Sequence, residues 1–511
     1  MSASAATADD DIAQLARGGR TSFFGFLIRL AARLPFLFIA GRWYGAEALG
    51  RFAYATIVVE FAAQLATLGL KRGLAQQLST TERPAVCDVW DALLVGAVGA
   101  TVMAALLIAV PEMLFPNSPI NGMDRLLPLT VFGWVGSDIA LAALAYKGNI
   151  AATVKARALA EPWTISIAAF ALAFYSTRDG LIIAYVLSTV AALIASIVPL
   201  VRSYGIARGW RPEPVRLIAL ARANLPLAGA DAVEWGSRRI DIAVLGLFLS
   251  PTYVGIYYVA QQVASLPAKL KTSFEPVLGP AIARGIAAKD YSGVAKQVRQ
   301  VGFWILAAQA GIAIALGIPG RAVMGLVGDK FTGGTAMLAF LLAAEVTAAT
   351  AVVSEAALIY VARHRNMIIS LAMLALEAAL SAVLIVAMRR AGWPLAWQAT
   401  GPAVALTLSL GFASIAKSRL LAKTLRARVS GWRFDLLWAA AAGIAVGIPV
   451  RLFLPPLAEL IIGIPLIMGA FGAVLWTKGF GPEDRVLFRM NKDEVSEMQL
   501  PVPGTAPDSP S

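Results

Sequence analysis

Long apolar segments dominate this chain and leave it few ways to fold. Fourteen stretches of about twenty mostly apolar residues are each long enough to cross the hydrocarbon core of a bilayer as a helix. They are too long, and too rich in Ala and Leu, for the alternating strands of a membrane barrel. The sequence therefore predicts an all-α polytopic membrane protein with about fourteen transmembrane helices. The predicted spans are residues 21–41, 51–70, 89–110, 125–146, 158–176, 180–201, 223–249, 252–276, 300–318, 335–361, 367–388, 394–416, 434–453 and 457–477.

Composition excludes several other classes of protein. Hydrophobic residues make up 58% of the chain and charged residues 15%, which rules out a disordered protein, a coiled coil and most soluble enzymes. A single cysteine, Cys87, and a single histidine, His364, rule out a disulfide framework and any metal or haem site built from these residues. The sequence contains no glycine-rich phosphate loop with a lysine, so we expect neither direct use of ATP nor a resident cofactor or metal.

The basic residues indicate how the chain lies in the membrane. With the N-terminus inside, 29 of the 44 Lys and Arg residues fall on the cytoplasmic side and 9 on the outer side. Lys and Arg concentrate in the short cytoplasmic loops of membrane proteins, so this split predicts that both termini are cytoplasmic. We interpret the net charge of +13 as a topological signal and expect no nucleic-acid partner.

An internal repeat divides the spans into two halves. Residues 48–55 (ALGRFAYA) resemble residues 253–260 (YVGIYYVA) at an offset of 205 residues, each with a glycine that we place in an outer loop, Gly50 and Gly255. Six spans per half give both halves the same orientation, as in transporters built from parallel repeats with a site between them. The predicted organisation is a cytoplasmic segment at 1–20, a first lobe at 21–202, a linker at 203–222, a second lobe at 223–416, a basic amphipathic linker at 417–433, two further spans at 434–480 and a disordered cytoplasmic tail at 481–511.

The basic linker at 417–433 has two interpretations. Its leucines alternate with Lys and Arg, which is typical of a helix lying in the inner interface against anionic membrane lipids. A solvated charged loop fits the same composition.

Charged residues inside spans are concentrated in spans one, two, seven and eight, which indicates a polar cavity between the halves. On span seven, Glu234 and Arg238, and likewise Arg238 and Asp241, have the spacing of helical ion pairs. Arginine suits a phosphate or pyrophosphate because its planar fork donates two parallel hydrogen bonds and stays charged. The candidate substrate-binding cations are Arg29, Arg33, Arg238, Arg239, Lys269 and Lys271. The candidate ion-coupling carboxylates are Glu60, Asp231, Glu234 and Asp241.

Each of these charges also has a structural interpretation, in which it pairs with a neighbour and pins two helices together. The same alternative applies to acids scattered over other spans, each of which is either a proton or sodium site or a paired residue. These acids are Asp138, Glu161, Glu345, Glu355 and Glu377.

Several short motifs carry a resemblance to a known family. In the first half they are RWYG at 42–45, ALGRFA at 48–53 and LGL at 68–70. In the second half they are RIDIAVLG at 239–246 and VGIY at 254–257. With fourteen spans and a seventh span bearing acids and arginines, the chain resembles the polysaccharide transporter family, the O-antigen and exopolysaccharide flippases. That family belongs to the multidrug/oligosaccharidyl-lipid/polysaccharide (MOP) exporter superfamily.

The resemblance implies a flippase rather than an enzyme. It implies alternating access in a V-shaped bundle that moves an undecaprenyl-pyrophosphate-linked oligosaccharide across the bacterial inner membrane for polysaccharide biosynthesis. Coupling to protons or sodium is the role we consider for the candidate carboxylates. Its implied partners are the lipid-linked oligosaccharide, membrane lipids and the polysaccharide polymerase and export machinery. The cationic lumen of such flippases engages the pyrophosphate, a role that falls by position to the six candidate cations. The alternatives are a drug or cation antiporter of the same superfamily, which needs an anionic cavity, and a membrane sugar polymerase.

Overall fold

The computed structural model describes residues 35–120, 122–481 and 484, with the backbone alone for residues 150, 267–277 and 280. This part of the chain is almost entirely helical and contains no strand. Its main helices are α1 (Gly45–Ala66), α2 (Leu70–Thr80), α3 (Ala85–Ala109), α4 (Thr130–Tyr146), α5 (Glu161–Ala173), α6 (Gly180–Tyr204), α7 (Pro214–Phe248), α8 (Pro251–Ala287), α9 (Tyr291–Gly317), α10 (Thr335–Val361), α11 (Arg363–Arg390), α12 (Gly401–Leu425), α13 (Asp435–Phe453) and α14 (Ile464–Val474).

The helices correspond to the predicted spans. Helices α3 to α14 lie at spans three to fourteen, α1 and α2 together cover span two, and span one is described only from Pro35 onwards. By length and apolarity alone, ten helical stretches of the described residues qualify as membrane spans. The stretches at spans five, seven and eight contain too many charged and polar residues to qualify. The predicted all-α polytopic fold is confirmed, and the chain is a multi-pass membrane protein.

Two helices extend well beyond the bilayer. Helix α7 has 35 residues and α8 has 37, or about 52 and 55 Å at 1.5 Å per residue, against a hydrocarbon core of about 30 Å. The second half of the predicted linker at 203–222 is therefore the start of α7, which begins at Pro214. Proline suits this first helical position because the amide hydrogen it lacks has no partner there.

The predicted interfacial helix at 417–433 is wrong. Helix α12 continues through the membrane boundary to Leu425, and Arg426 then ends it in the left-handed region. Leu421, Leu425 and Val429 are buried in the core of the second lobe, against α9 and α13, and not on a lipid surface. The amphipathic pattern was real, but its apolar face packs against protein.

The helices form two lobes of six and a peripheral pair. Helices α1 to α6 pack together as the first lobe and α7 to α12 as the second, while α13 and α14 pack against α9. Between the lobes the most extensive contact joins α1 to α8, and α7 lies beside α1 and α2. This arrangement places α7, with its charged residues, at the boundary between the lobes.

The two repeat glycines meet each other at one end of this boundary, near the starts of α1 and α8. A Cβ on Gly50 would lie 1.8 Å from the carbonyl oxygen of Pro251, and a Cβ on Gly255 would lie 2.0 Å from that of Ala46. Ala46 and Pro251 are 205 residues apart, as are Gly50 and Gly255, so the two contacts are equivalent under the repeat. The repeat is therefore a structural symmetry with its axis at this crossing. The glycines lie within the first turns of α1 and α8 and not in outer loops as expected.

We predict that Gly50→Ala opens the outer side of the lobe boundary. The added methyl group overlaps backbone atoms of α8, so the helices must separate. In a chain carrying Cys87→Ser and Val254→Cys, we expect faster labelling of Cys at 254 by a membrane-impermeant maleimide than without the alanine, since Val254 is buried at this boundary.

Gly411→Ala is the matched control, because nothing lies within 4 Å of a Cβ there. Equal labelling rates in the Gly50→Ala and Gly411→Ala chains would contradict the role of the crossing.

Candidate functional site

Charged side chains from both lobes meet at the lobe boundary, away from the glycine crossing. Arg72 of α2 places Nε 2.8 Å from Oδ1 of Asp231 on α7, and its guanidinium also pairs with Glu234. Arg238 Nη2 lies 3.0 Å from Oε1 of the same Glu234. The predicted Glu234–Arg238 pair is confirmed, and the predicted Arg238–Asp241 pair is wrong because Asp241 bonds elsewhere. Two arginines, one from each lobe, thus share a carboxylate.

This cluster faces an open space at mid-membrane depth. Arg238 is ten residues from the C-terminal end of α7, about 15 Å or half the hydrocarbon core. Its side chain is 67% exposed and that of Glu234 is 49% exposed. Charged side chains at such a depth usually face a water-filled cavity and not lipid. The exposed guanidinium therefore marks the cavity between the lobes.

A sharp turn between α1 and α2 brings Arg72 to α7. Helix α1 ends at Ala66, and Leu68 and Gly69 both adopt positive φ, 51° and 73°, before α2 begins. A Cβ on Gly69 would lie 2.7 Å from the backbone of Asn224 and Ala228, so glycine is required both for the turn and for the approach to α7.

Arg239 and Asp241 link the cavity to the interior of the second lobe. Arg239 Nη2 lies 3.9 Å from Oε2 of Glu60 on α1, and its Nη1 donates over 3.5 Å to Oε1 of Gln261. The carboxamide of Gln261 donates to Asp241 Oδ2 at 2.9 Å, as does the hydroxyl of Tyr257 at 2.9 Å. Asp241 is thereby held inside the lobe and is not exposed to a substrate in the cavity.

A second buried acid lies beside Asp241. Glu377 of α11 is 1% exposed, and its carboxyl group interacts electrostatically with that of Asp241. In the described part of the chain Glu377 Oε2 has no hydrogen-bond partner. Burial disfavours the charged form of a carboxyl group that no donor or cation satisfies, so Glu377 can take up a proton or a monovalent cation. Among the described residues no group of three or more His, Cys, Asp and Glu side chains could hold a metal ion.

Other intramembrane acids are paired within one lobe. Arg157 forms ion pairs with Asp138 and with Glu161, at 2.8 Å to the latter, and its guanidinium stacks on Trp134. In the second lobe Lys417 Nζ lies 2.9 Å from Oε2 of Glu355. The structural interpretation is therefore the right one for Asp138, Glu161 and Glu355.

The remaining candidate cations cannot be placed in the cluster. Arg29 and Arg33 lie outside the described residues. Lys269 and Lys271 are in α8, and their side chains lie outside the described part of the structure. Sequence reasoning missed Arg72, because span two was ended at residue 70 and this arginine was assigned to a loop. The LGL motif at 68–70 was a signal, since a glycine followed by further helical residues marks a turn and a new helix.

A family comparison identifies what kind of protein carries this cluster. Residues 41–315, more than half of the chain, match a family described as polysaccharide biosynthesis protein. The chain belongs to this family. No curated protein sequence matches the chain.

Solved structures show the fold of this family member. The lipid II flippase MurJ in an inward closed conformation matches with a TM-score of 0.65 at 11% identity, over 89% of this chain and 98% of that chain. An inward-facing multidrug resistance MATE family transporter of the MOP superfamily matches with a TM-score of 0.62 at 12% identity, over 81% and 94%. An outward-facing MATE structure matches with 0.53 at 13% identity, over 82% and 95%. The resemblance to a polysaccharide family is confirmed by the family match, and the chain has the fold that these flippase and transporter structures share.

We predict that Arg157→Ala destabilises the first lobe. Removing the arginine leaves Glu161 without its ion pair and leaves the buried Asp138 with only Lys71 Nζ at 3.9 Å, at a loss of about 3–5 kcal/mol. The check is thermal denaturation of the purified protein in detergent. Arg216→Ala is the control, because its pair with Glu213 is half-exposed and contributes within about 1 kcal/mol. Equal melting temperatures for the two variants would contradict the importance of the buried network.

Proposed function

We propose that this chain flips a polyprenyl-pyrophosphate-linked oligosaccharide across the bacterial inner membrane, with both termini in the cytoplasm, for polysaccharide biosynthesis. One observation carries the proposal: Arg72 and Arg238, from opposite lobes, share the carboxylate of Glu234, and the side chain of Arg238 is largely exposed. Membership of a polysaccharide biosynthesis family supports a glycan cargo.

The chemistry of the cluster suits a pyrophosphate. Two arginines can each donate a pair of parallel hydrogen bonds to phosphoryl oxygens, and both stay charged at every physiological pH. Asp231 and Glu234 neutralise them when no substrate is present. In the proposed cycle the pyrophosphate replaces these carboxylates, which resolves the apparent conflict between an anionic substrate and acids in its path.

The same exchange connects binding to movement of the lobes. Arg72 belongs to the first lobe, and Asp231 and Glu234 belong to the second. When the pyrophosphate takes over Arg72, an ion-pair link between the lobes is released. The substrate thus favours the state in which the lobes have moved, as a transported ligand must do to drive alternating access. The glycan occupies the cavity, and the polyprenyl chain stays in the lipid.

We predict that Arg72→Ala and Arg238→Ala both reduce flipping. Each loses a charge-assisted contact that contributes about 1.5–3 kcal/mol, so the rate at limiting substrate falls roughly tenfold to a hundredfold. The measurement is exposure of a polyprenyl-pyrophosphate-linked oligosaccharide to an impermeant lectin on the far side of proteoliposomes. Arg216→Ala is the control, since its side chain is remote from the cavity.

Normal flipping by both variants would overturn the arginine site. An opposite outcome, in which the protein exports organic cations and moves no lipid-linked glycan, would favour the drug antiporter.

We further propose that the Asp241–Glu377 pair couples flipping to protons or sodium. Asp241 is buried on α7, three residues from Arg238, so binding of a cation at this pair changes the charge next to the arginine cluster. Asp241 was expected to serve coupling, and Glu377 provides its partner. Glu60, Asp231 and Glu234 instead hold arginines.

Asp241→Asn and Glu377→Gln should each abolish stimulation of flipping by an imposed sodium or proton gradient while leaving the rate without a gradient within about twofold, because a carboxamide keeps the shape but cannot be charged. Proteoliposomes with one gradient at a time distinguish the two ions. Glu213→Gln, at the exposed start of α7, is the control. Unchanged stimulation in both variants would rule out this pair as the coupling site.

A further inference from the structure

A cavity of about 300 Å³ opens at the inner end of the first lobe, away from the boundary between the lobes. It lies between the residues that lead into α5 and the last turn of α6. Its polar lining includes Lys155, Arg202 and Ser203. The cavity lies at the level of the lipid headgroups, because the helical segment leading into α5 begins there and α6 ends there. Neither α5 nor α6 packs against the second lobe to any extent, so this cavity is separate from the arginine cluster.

The cavity carries positive charge that no carboxylate balances. In the described part of the chain neither Lys155 nor Arg202 forms an ion pair, and both side chains are exposed. Lys147 adds a third cation close by, since its Nζ donates to the carbonyl oxygen of Ser203 at 2.6 Å and lies 3.9 Å from the centre of the Tyr204 ring. The nearby Arg157 differs, because Asp138 and Glu161 neutralise it. The charge at the mouth is therefore available to an anionic group.

An apolar surface continues from each cation towards the membrane centre. Leu159 and Trp163 follow Lys155 at intervals of four residues, and Val198 and Ile194 precede Arg202 at the same interval, so each set shares one helix face. These four apolar side chains are 43–57% exposed. Helices α5 and α6 are antiparallel neighbours, which places the two apolar rows side by side below the two cations.

We propose that this groove is a binding site for an anionic phospholipid. The phosphate group lies between Lys155 and Arg202, with Ser203 beside it, and the acyl chains lie along the two apolar rows. A basic pocket between membrane helices on the inner side suits an anionic headgroup, and the apolar rows require an attached hydrocarbon chain. A free phosphate would leave those rows unused, and a zwitterionic lipid would place its own cationic headgroup beside Lys155 and Arg202.

The test uses the full chain purified in detergent and loaded with phosphatidylglycerol or phosphatidylcholine. Lipid retained on the protein is counted by native mass spectrometry. We expect phosphatidylglycerol to be retained preferentially, and the Lys155→Ala/Arg202→Ala variant to bind it about tenfold or more weakly, the size expected from losing two headgroup cations. The charge-preserving Lys155→Arg/Arg202→Lys variant should bind as the parent does, which separates loss of the site from loss of folding.

The matched control is Arg363→Ala/Arg365→Ala, which removes two exposed cations from the start of α11 in the second lobe. Retention of phosphatidylglycerol should be unchanged in this control. Equal loss in both alanine pairs, or equal retention of phosphatidylcholine, would overturn the proposal in favour of non-specific charge or lipid adhesion. Preferential retention of undecaprenyl pyrophosphate over phosphatidylglycerol would also overturn it, because the groove would then belong to the path of the substrate.

Discussion

The crossing of α1 and α8 at Gly50 and Gly255 is the contact on which the rest of the lobe boundary depends. Each glycine leaves room only for the backbone of the opposite helix, on the axis that relates the lobes. Tyr54 packs against Gly246 next to this point and extends the contact to α7. The lobes meet again at the other end of α1, where Gly69 approaches the backbone of α7 and Arg72 pairs with Asp231 and Glu234. Between these two contacts Glu234 and Arg238 keep exposed side chains.

The distribution of charge between the two lobes limits which substrates can bind there. An exporter of organic cations needs carboxylates that are free to face its substrate. In the described part of the cavity, Asp231 and Glu234 are each held by an arginine, and Glu60 faces Arg239. An approaching cation would have to displace a guanidinium that is already bonded, whereas an approaching anion can take the place of a carboxylate and keep both arginines satisfied. These ion pairs neutralise the charged side chains when no substrate is bound. In the proposed function they therefore favour an anionic substrate over a cationic one.

Sequence reasoning reached the features that are local along the chain. The spans followed from runs of apolar residues, the repeat from an offset of 205, and the Glu234–Arg238 pair from helical spacing. It failed where tertiary packing decides. Arg72 reaches α7 only because Leu68 and Gly69 turn the chain in a way that apolar periodicity does not reveal. Glu377 meets Asp241 only through the packing of α11 on α7. The leucines of the 417–433 linker fit an interface or a protein core equally well, and only the position of α9 and α13 decides between them.

Helix α7 joins the three regions that a transport cycle has to coordinate. Its middle supplies Asp231, Glu234 and Arg238 to the charged cluster, Asp241 lies with Glu377 inside the second lobe, and Gly246 receives Tyr54 beside the glycine crossing. From Asp231 to Gly246 is fifteen residues, about 22 Å of continuous helix at 1.5 Å per residue. A continuous helix transmits tilt or rotation with little loss, so a cation bound at Asp241 and a pyrophosphate bound at Arg238 act on the same rigid body. In the proposed cycle the two ligands need no separate signalling path, since each shifts the position of α7 between the lobes.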